Sequence, residues 1–438
     1  MTAAVLSTLI AVVFALPAVA QDDPHSEVMP AIGGVPKDEV LRLEALGYVD
    51  YSPDLSNLDQ SGVSHVDEAL AAPGHTLVVS SVECAARLIN LSGRELHYWK
   101  QQECVRWWSA ELMQNGDLVV VGGRPVSGAP PSRADGKEPL TRFAARIGWA
   151  GGLVWVRDIR AHHQLDWTPS KEILILTELQ RSTEEVGRRA PELVRGADAN
   201  LVFHDNALVW LSADGEVRET LSLFNAVTTG PLDFGFLLRD ELLETPSHVG
   251  LFHANSAYAM DQPHLVGTHP LFSKQNVLVT SRNQNRIFVV DRRNRSLVWE
   301  WGRGVLQAPH GATWLGNGHI LVFDNGTERK TSRILEVDPT NGRVVWEYPN
   351  AQGVEFHSET RGLAQRLAND NTLITNSQGG QAFEVTPAGT TVWQYFAPVL
   401  AEGARRPVLM SLRRYPESWV EPLRARAGAW RSPPPKIH

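Results

Sequence analysis

Short apolar runs separated by turn signals recur along most of the chain. In residues 310–349, HGATWLGNGHILVFDNGTERKTSRILEVDPTNGRVVWEYP, the order is a short strand, an Asn-Gly turn, an apolar strand, a loop, a strand ending in Glu-Val, a Gly turn and a strand closing on Val-Trp-x-Tyr. Residues 362–398, GLAQRLANDNTLITNSQGGQAFEVTPAGTTVWQYFAP, repeat that order. Trp299, Trp346 and Trp393 close three successive units at a spacing of 47 residues, and Trp99 and Trp155 close weaker copies. A sixth unit, from about 163 to 224, carries LVFHDNALVWLSADGEV in place of the clean ending. Apolar runs this short, bounded by Gly, Asn, Asp and Pro, are strands and not helices.

Four strands per unit at this period mark a β-propeller blade. A lone four-stranded sheet cannot bury both faces, but a ring of blades stacks them, and the recurring Trp and Val fill the space between. The expected fold is therefore all-β, a six-bladed propeller over 61–400. A segment with a short helix precedes it at 21–60, where VPKDEVLRLEAL (36–47) has helical periodicity, and an Arg- and Pro-rich tail follows at 401–438. Residues 124–140 read as a Pro/Gly/Ser loop and 181–198 as a charged insertion.

Composition narrows the function classes. With 43% hydrophobic residues the 438-residue chain is globular, and a formal net charge of −8 argues against general nucleic-acid binding. Residues 3–17 are nearly all apolar and run into Ala18-Val19-Ala20, the small-x-small pattern of an export signal over 1–20. No Lys or Arg precedes that run, so an uncleaved anchor is the alternative. No other stretch approaches the ~20 apolar residues of a spanning helix, and a periplasmic or secreted protein is expected. Cys84 and Cys104, the two cysteines, either form one disulfide between neighbouring strands or stay as buried thiols.

The repeat also serves as a ruler for chemistry. His310 lies seven residues before the Asn317-Gly318 turn, and His163 lies seven before Ser170-Lys171. His253, in HANSAYAM, opens the corresponding strand of the unit between them, although HLVGTHPLF breaks the spacing. The matching positions elsewhere are Val66, Trp108 and Gly362. Three histidines at one repeat position, in blades three, four and five, are expected to converge at one mouth of the central channel. His162, His65 and His357 lie near the same rim. A second column aligns Arg333 with Arg286, and more loosely with Arg146 and Arg87, and blade six breaks it with Gln381. Such an arginine either holds neighbouring backbone carbonyls or serves a site.

The pieces FHANSAYAM, VLVTSRNQNRIFVVD, WEWG, APHGATWLGNGHILVFDNG and SRILEVD resemble the bacterial arylsulfotransferase family, strongly over about 250–340 and more weakly over 162–398. That family comprises secreted six-bladed propellers that move a sulfuryl group from one phenol to another, and the chain is similar to its divergent branch. The resemblance implies that His253, His310 and His163 are catalytic donors or acid/base groups. It implies that Arg333 clamps the sulfuryl oxygens, with Arg282, Asn255 and Gln381 also on the substrate side. It implies an aryl sulfate and a phenol as partners, no cofactor, no resident metal, and no membrane contact beyond the signal segment. The family uses a covalent histidine intermediate, and the matching place in the last blade is at or near Gln381, whose amide is no nucleophile. Direct transfer, a different nucleophile such as His163 or His357, and loss of transfer are the three consequences. Two other readings compete: a non-catalytic propeller binding sulfated or phenolic ligands or a protein, and a hydrolase or lyase using a metal held by the three imidazoles. No G-x-S-x-G, H-E-x-x-H or Gly-rich phosphate loop occurs.

Overall fold

The computed structural model describes residues 50–54, 56–102, 104–125, 140–198, 200–351, 353–400 and 405–426. The export signal at 1–20 and the helical stretch at 36–47 lie outside the described residues. Six antiparallel sheets follow one another around an axis. Each inner strand touches the inner strands on either side of it, so the ring is closed. Blades two to five are continuous in sequence. Blade two runs from Arg106–Leu112 to Leu153–Asp158 and blade three from Ala161–Trp167 to Val217–Ser222. Blade four runs from Ala254–Ala259 to Ser296–Trp301 and blade five from His310–Trp314 to Arg343–Tyr348.

The closure differs from the sequence-based reading. Val66 does not begin blade one; it lies in Gly62–Val66, which pairs with Thr391–Phe396 as the outermost strand of blade six. The inner strand of blade one is Leu409–Tyr415, from the tail, paired with His75–Ser80. The tail is thus not a loose strap. A ring built from a linear chain must be joined somewhere, and lending one strand from each end joins it with backbone hydrogen bonds. Short helices, Thr183–Gly187 and Pro191–Val194, fill the charged insertion, and Ser182 caps the first with Glu185 in a capping box.

Stability resides between blades. Six apolar clusters are found, each joining residues of two adjacent blades. The fourth-strand tryptophans pack their rings at the interfaces, and in four blades a fourth-strand indole N–H is donated to the next blade's outer turn. Trp155 donates to Ala213 O, Trp301 to Gly342 O, Trp346 to Pro387 O and Trp393 to Leu91 O, at 2.8–3.0 Å. No other side chain combines that apolar area with one donor at its rim. The Arg column does similar work: Arg286 donates to Phe234 O and Gly235 O, and Arg146 to Ala213 O.

Cys84 and Cys104 form a disulfide with Cα atoms 6.0 Å apart, joining blade one to the segment entering blade two. Closing a loop across a separation of 20 residues restricts the unfolded chain by roughly 3 kcal/mol. Reduction should therefore lower the urea midpoint by that free energy, and a Cys84→Ala/Cys104→Ala variant should match the reduced wild type without further loss under reductant.

Candidate functional site

The inner strands place the three histidines at one mouth of the channel, but not at one repeat step. Asp166 pairs with Leu174, Tyr258 with Leu278 and Thr313 with Leu321, which fixes the register between blades. Counting residues back, His163 and His310 share a step with Asn255 of blade four, although bulges shift the pairing there: His310 lies opposite Phe323, His162 opposite Leu176 and Ser256 opposite Thr280. His253 lies two residues earlier, where blade five has Ala308. The inserted HLVGTHPLF had hidden this offset. His163 and His253 hold φ values of 58° and 45°, in the left-handed region that costs a non-glycine about 1–3 kcal/mol. A strand bulge falls at His163, and another follows His253 at Asn255.

The rings converge all the same. His163 and His253 have centroids 5.1 Å apart and His162 and His163 4.8 Å apart, both edge to face. His310 is near enough for its charge to bear on His163, and that of His253 to bear on His310. Hydrogen bonding fixes the tautomers. His310 Nδ1 faces two oxygens, Ala308 O at 3.0 Å and Asn325 Oδ1 at 2.8 Å, so it carries the proton. Nε2 of His310 then holds a lone pair, approached by the Arg361 N–H at 3.3 Å. Asn206 Oδ1 accepts from Ala254 N–H, so its amide NH₂ donates to His162 Nε2. His162 Nδ1–H must then donate to His163 Nδ1 at 2.6 Å, which leaves the proton of His163 on Nε2. His253 Nδ1 donates to Glu244 Oε1 at 3.2 Å, so its Nε2 is the nitrogen that gains or loses a proton.

Burial sets the charge. It holds His310 down at about 3, assisted by the Arg282 and His253 charges and opposed by the acceptors Asn325 and Ala308. Burial, then His162, His253, His310 and Arg142, hold His163 well below the ordinary imidazole value. His163 keeps some solvent-accessible surface although protein surrounds it on all sides, as a channel-lining residue does. Both rings are neutral at pH 7. Between about 3 and about 6.5 the unfolded chain binds a proton that folded His310 refuses, so stability is full above 6.5 and falls on acidification. The limiting slope is about 1.4 kcal/mol per pH unit per group. Urea titrations at pH 7 and pH 5 should show this loss, and His310→Gln should lessen it.

The other expected residues divide. Arg282 joins the site: its backbone N–H donates to His253 O at 3.3 Å and its side-chain charge reaches His310. Asn255 is 2% exposed and donates to Pro309 O at 2.8 Å, so it holds the backbone that presents His310. Arg333 is not brought to the cluster. It opens the third strand of blade five and is bonded to Asp324, Glu347 and Val305 O. Gln381 holds the same place in blade six, opposite Asn376, two strands or about 10 Å out from the inner strand. His65 lies on the outermost strand of blade six and His357 in the loop before that blade's inner strand. Sequence reasoning missed Asn206, Glu244 and Asn325. Asn325 had a signal, since it follows the second strand where blade four has Arg282 and blade three Glu178.

Below the histidines, at Glu111, Tyr258, Thr313, Gln365 and Arg413, the inner strands form a polar layer around a cavity of about 20 Å³, and Asp166 lies within reach of the Glu111 and Arg413 charges. Arg413 pairs with Glu111 at 2.6 Å, and Tyr258 donates to Gln164 at 2.9 Å. Burial raises Asp166 to about 7. The layer leaves room for about one water.

Among the described residues no group of three or more His, Cys, Asp and Glu is arranged to hold a metal ion. The family model for arylsulfotransferase (ASST) matches residues 156–397. The chain belongs to the arylsulfotransferase family. The match covers blades three to six and every residue of the imidazole cluster. No curated protein matches the chain. Among solved structures, a protein of unknown function from Bacteroides caccae is 14% identical, with TM-score 0.47, over 77% of this chain and 99% of that one. A catalytically inactive virginiamycin B lyase from Staphylococcus aureus with quinupristin is 12% identical, with TM-score 0.39, over 76% of this chain and 87% of that one. A streptogramin B lyase is 12% identical, with TM-score 0.40, over 84% and 97%.

Proposed function

We propose that the chain is an exported arylsulfotransferase that moves a sulfuryl group between phenols at the imidazole cluster. The observation that carries this is His310, a buried neutral imidazole whose Nδ1–H is locked onto two oxygens, whose Nε2 lone pair is met only by the long Arg361 N–H contact among the bonds described, and which feels the charges of His253 and Arg282. A two-step transfer needs a nucleophile, cationic or N–H donors for three sulfuryl oxygens, and a group that moves one proton. His310 Nε2 attacks sulfur as the S–O bond to the donor phenol breaks, and His253, entering this step with a proton on each ring nitrogen, gives its Nε2 proton to the departing oxygen and is left as the neutral Nδ1–H ring. The acceptor phenol then attacks sulfur, the N–S bond breaks, and His253 Nε2 takes the acceptor's proton. Arg282 and the His163 Nε2–H face the sulfuryl oxygens. The covalent route therefore does not depend on Gln381. Export is supported by the leader pattern at 1–20 and by the disulfide, which persists in oxidising compartments.

The test is a phenyl sulfate donor with a phenol acceptor, following release of the donor phenol and formation of the sulfated acceptor. Release beyond one equivalent that requires acceptor, and that disappears in a His253→Ala/His310→Ala variant, supports the reading. Release no greater than that variant's, across a panel of donors, overturns it.

A further inference from the structure

We propose that Glu244 is the positioning residue of His253, holding its imidazole in the Nδ1–H tautomer so that Nε2 faces the reaction; this rests on the sulfuryl-transfer reading of the site. Glu244 comes from outside the six repeats. It lies in Leu243–Thr245, which pairs with His248–Gly250, and that strand lies parallel to Val202–Leu211 of blade three. This hairpin brings a carboxylate into the interior, with side-chain exposures of 1% for Glu244 and 3% for His253. A buried carboxylate costs several kcal/mol unless it is well paired, so its retention calls for a partner.

The carboxylate is itself held. Asn283 donates its amide to Glu244 Oε1 at 3.2 Å and to Gly250 O at 2.9 Å, spanning the hairpin and the loop after blade four's second strand. A Cβ at Gly250 would overlap Glu244 Oε1, its carboxyl carbon and Asn283 Nδ2, so only glycine lets the backbone pass there. Two residues, Asn283 from the loop and Gly250 from the hairpin, thus hold one carboxylate in place, and that carboxylate meets one imidazole nitrogen. Orienting partners of this kind commonly change function by 10–100-fold without touching the substrate.

The experiment uses full-length protein with ¹⁵N-labelled histidine, the His253 ring signals being those lost in His253→Ala. A proton on Nδ1 is expected in the wild type and in Glu244→Gln, which keeps an acceptor oxygen, with Nε2 protonated in the charged ring and bare in the neutral one. Glu244→Ala and Gly250→Ala should shift the ring toward the Nε2–H form. In turnover, Glu244→Ala should lose about 100-fold in kcat with KM within about threefold, and Glu244→Gln about tenfold. An unchanged His253 tautomer in both Glu244→Ala and Gly250→Ala overturns the proposal, as does wild-type kcat in Glu244→Ala. Should Glu244→Ala fail to fold, Gly250→Ala and Glu244→Gln decide. A wild type that transfers no sulfuryl group sinks the proposed function alone, because the ring-nitrogen readout still tests the Glu244–His253 pairing.

Discussion

Replacing His310 with alanine is expected to lower kcat by about 10⁴-fold or more, the usual scale for loss of a nucleophile. Glutamine in its place should do no better, since an amide nitrogen has no lone pair to offer sulfur. The wild type given donor without acceptor should release one equivalent of phenol in a burst, and the variants none. A variant that kept multiple turnovers would mean direct transfer between phenols. The pH profile sharpens the test. Because burial holds His310 at about 3, its reactive fraction is constant from pH 5 to pH 9. Any acidic limb of the rate in that range therefore belongs to another group, and His253, beside a carboxylate, is the first to examine by substitution. The low basicity of His310 also makes its nitrogen a good leaving group from sulfur, as a two-step transfer requires.

The repeat was legible because a propeller uses the same solution six times. The Trp endings, the Asn-Gly turns and the second-strand apolar runs each meet a need that every blade has. What was illegible came from outside the repeat. Blade one borrows its inner strand from Leu409–Tyr415, whose sequence carries no turn-Trp signature, so Val66 was placed in the wrong blade. His253 was assigned the step of His310 because an insertion obscured the count, and the pairing of Tyr258 with Leu278 restores it. Arg333 and Gln381 share a column, but that column is the third strand, where arginine ties blades together by carbonyl bonds. Glu244 and Asn206 reach the site from an added hairpin and a third strand, through contacts between residues 9 and 48 apart. Spacing within one unit cannot reveal such contacts.

The largest effect on stability is expected at the seam of the ring. Arg414, on the borrowed inner strand of blade one, pairs with Glu384 on the third strand of blade six, with side-chain exposures of 2% and 0%. Glu384 also accepts from Ala72 N–H at 2.7 Å and from Asn371 at 2.6 Å, and Arg414 donates to Ala72 O at 3.1 Å and stacks on Trp393. Glu384→Ala leaves a buried guanidinium without its counter-charge and two donors without an acceptor, so a loss of roughly 3–5 kcal/mol is expected. Burial already lowers the Arg414 pKa and only Glu384 opposes it, which is why the loss is not a surface-pair loss of about 0–1 kcal/mol. Replacing both partners, Glu384→Leu with Arg414→Met, removes the two desolvated charges together and should cost much less than Glu384→Ala alone. Urea unfolding of the three proteins measures the difference. A double variant as unstable as the single would assign the stabilisation to the bonds with Ala72 and Asn371. The seam also predicts where the ring opens: limited proteolysis of Glu384→Ala should first release the strand Leu409–Tyr415, because that strand is joined to its own blade by pairing with His75–Ser80 alone.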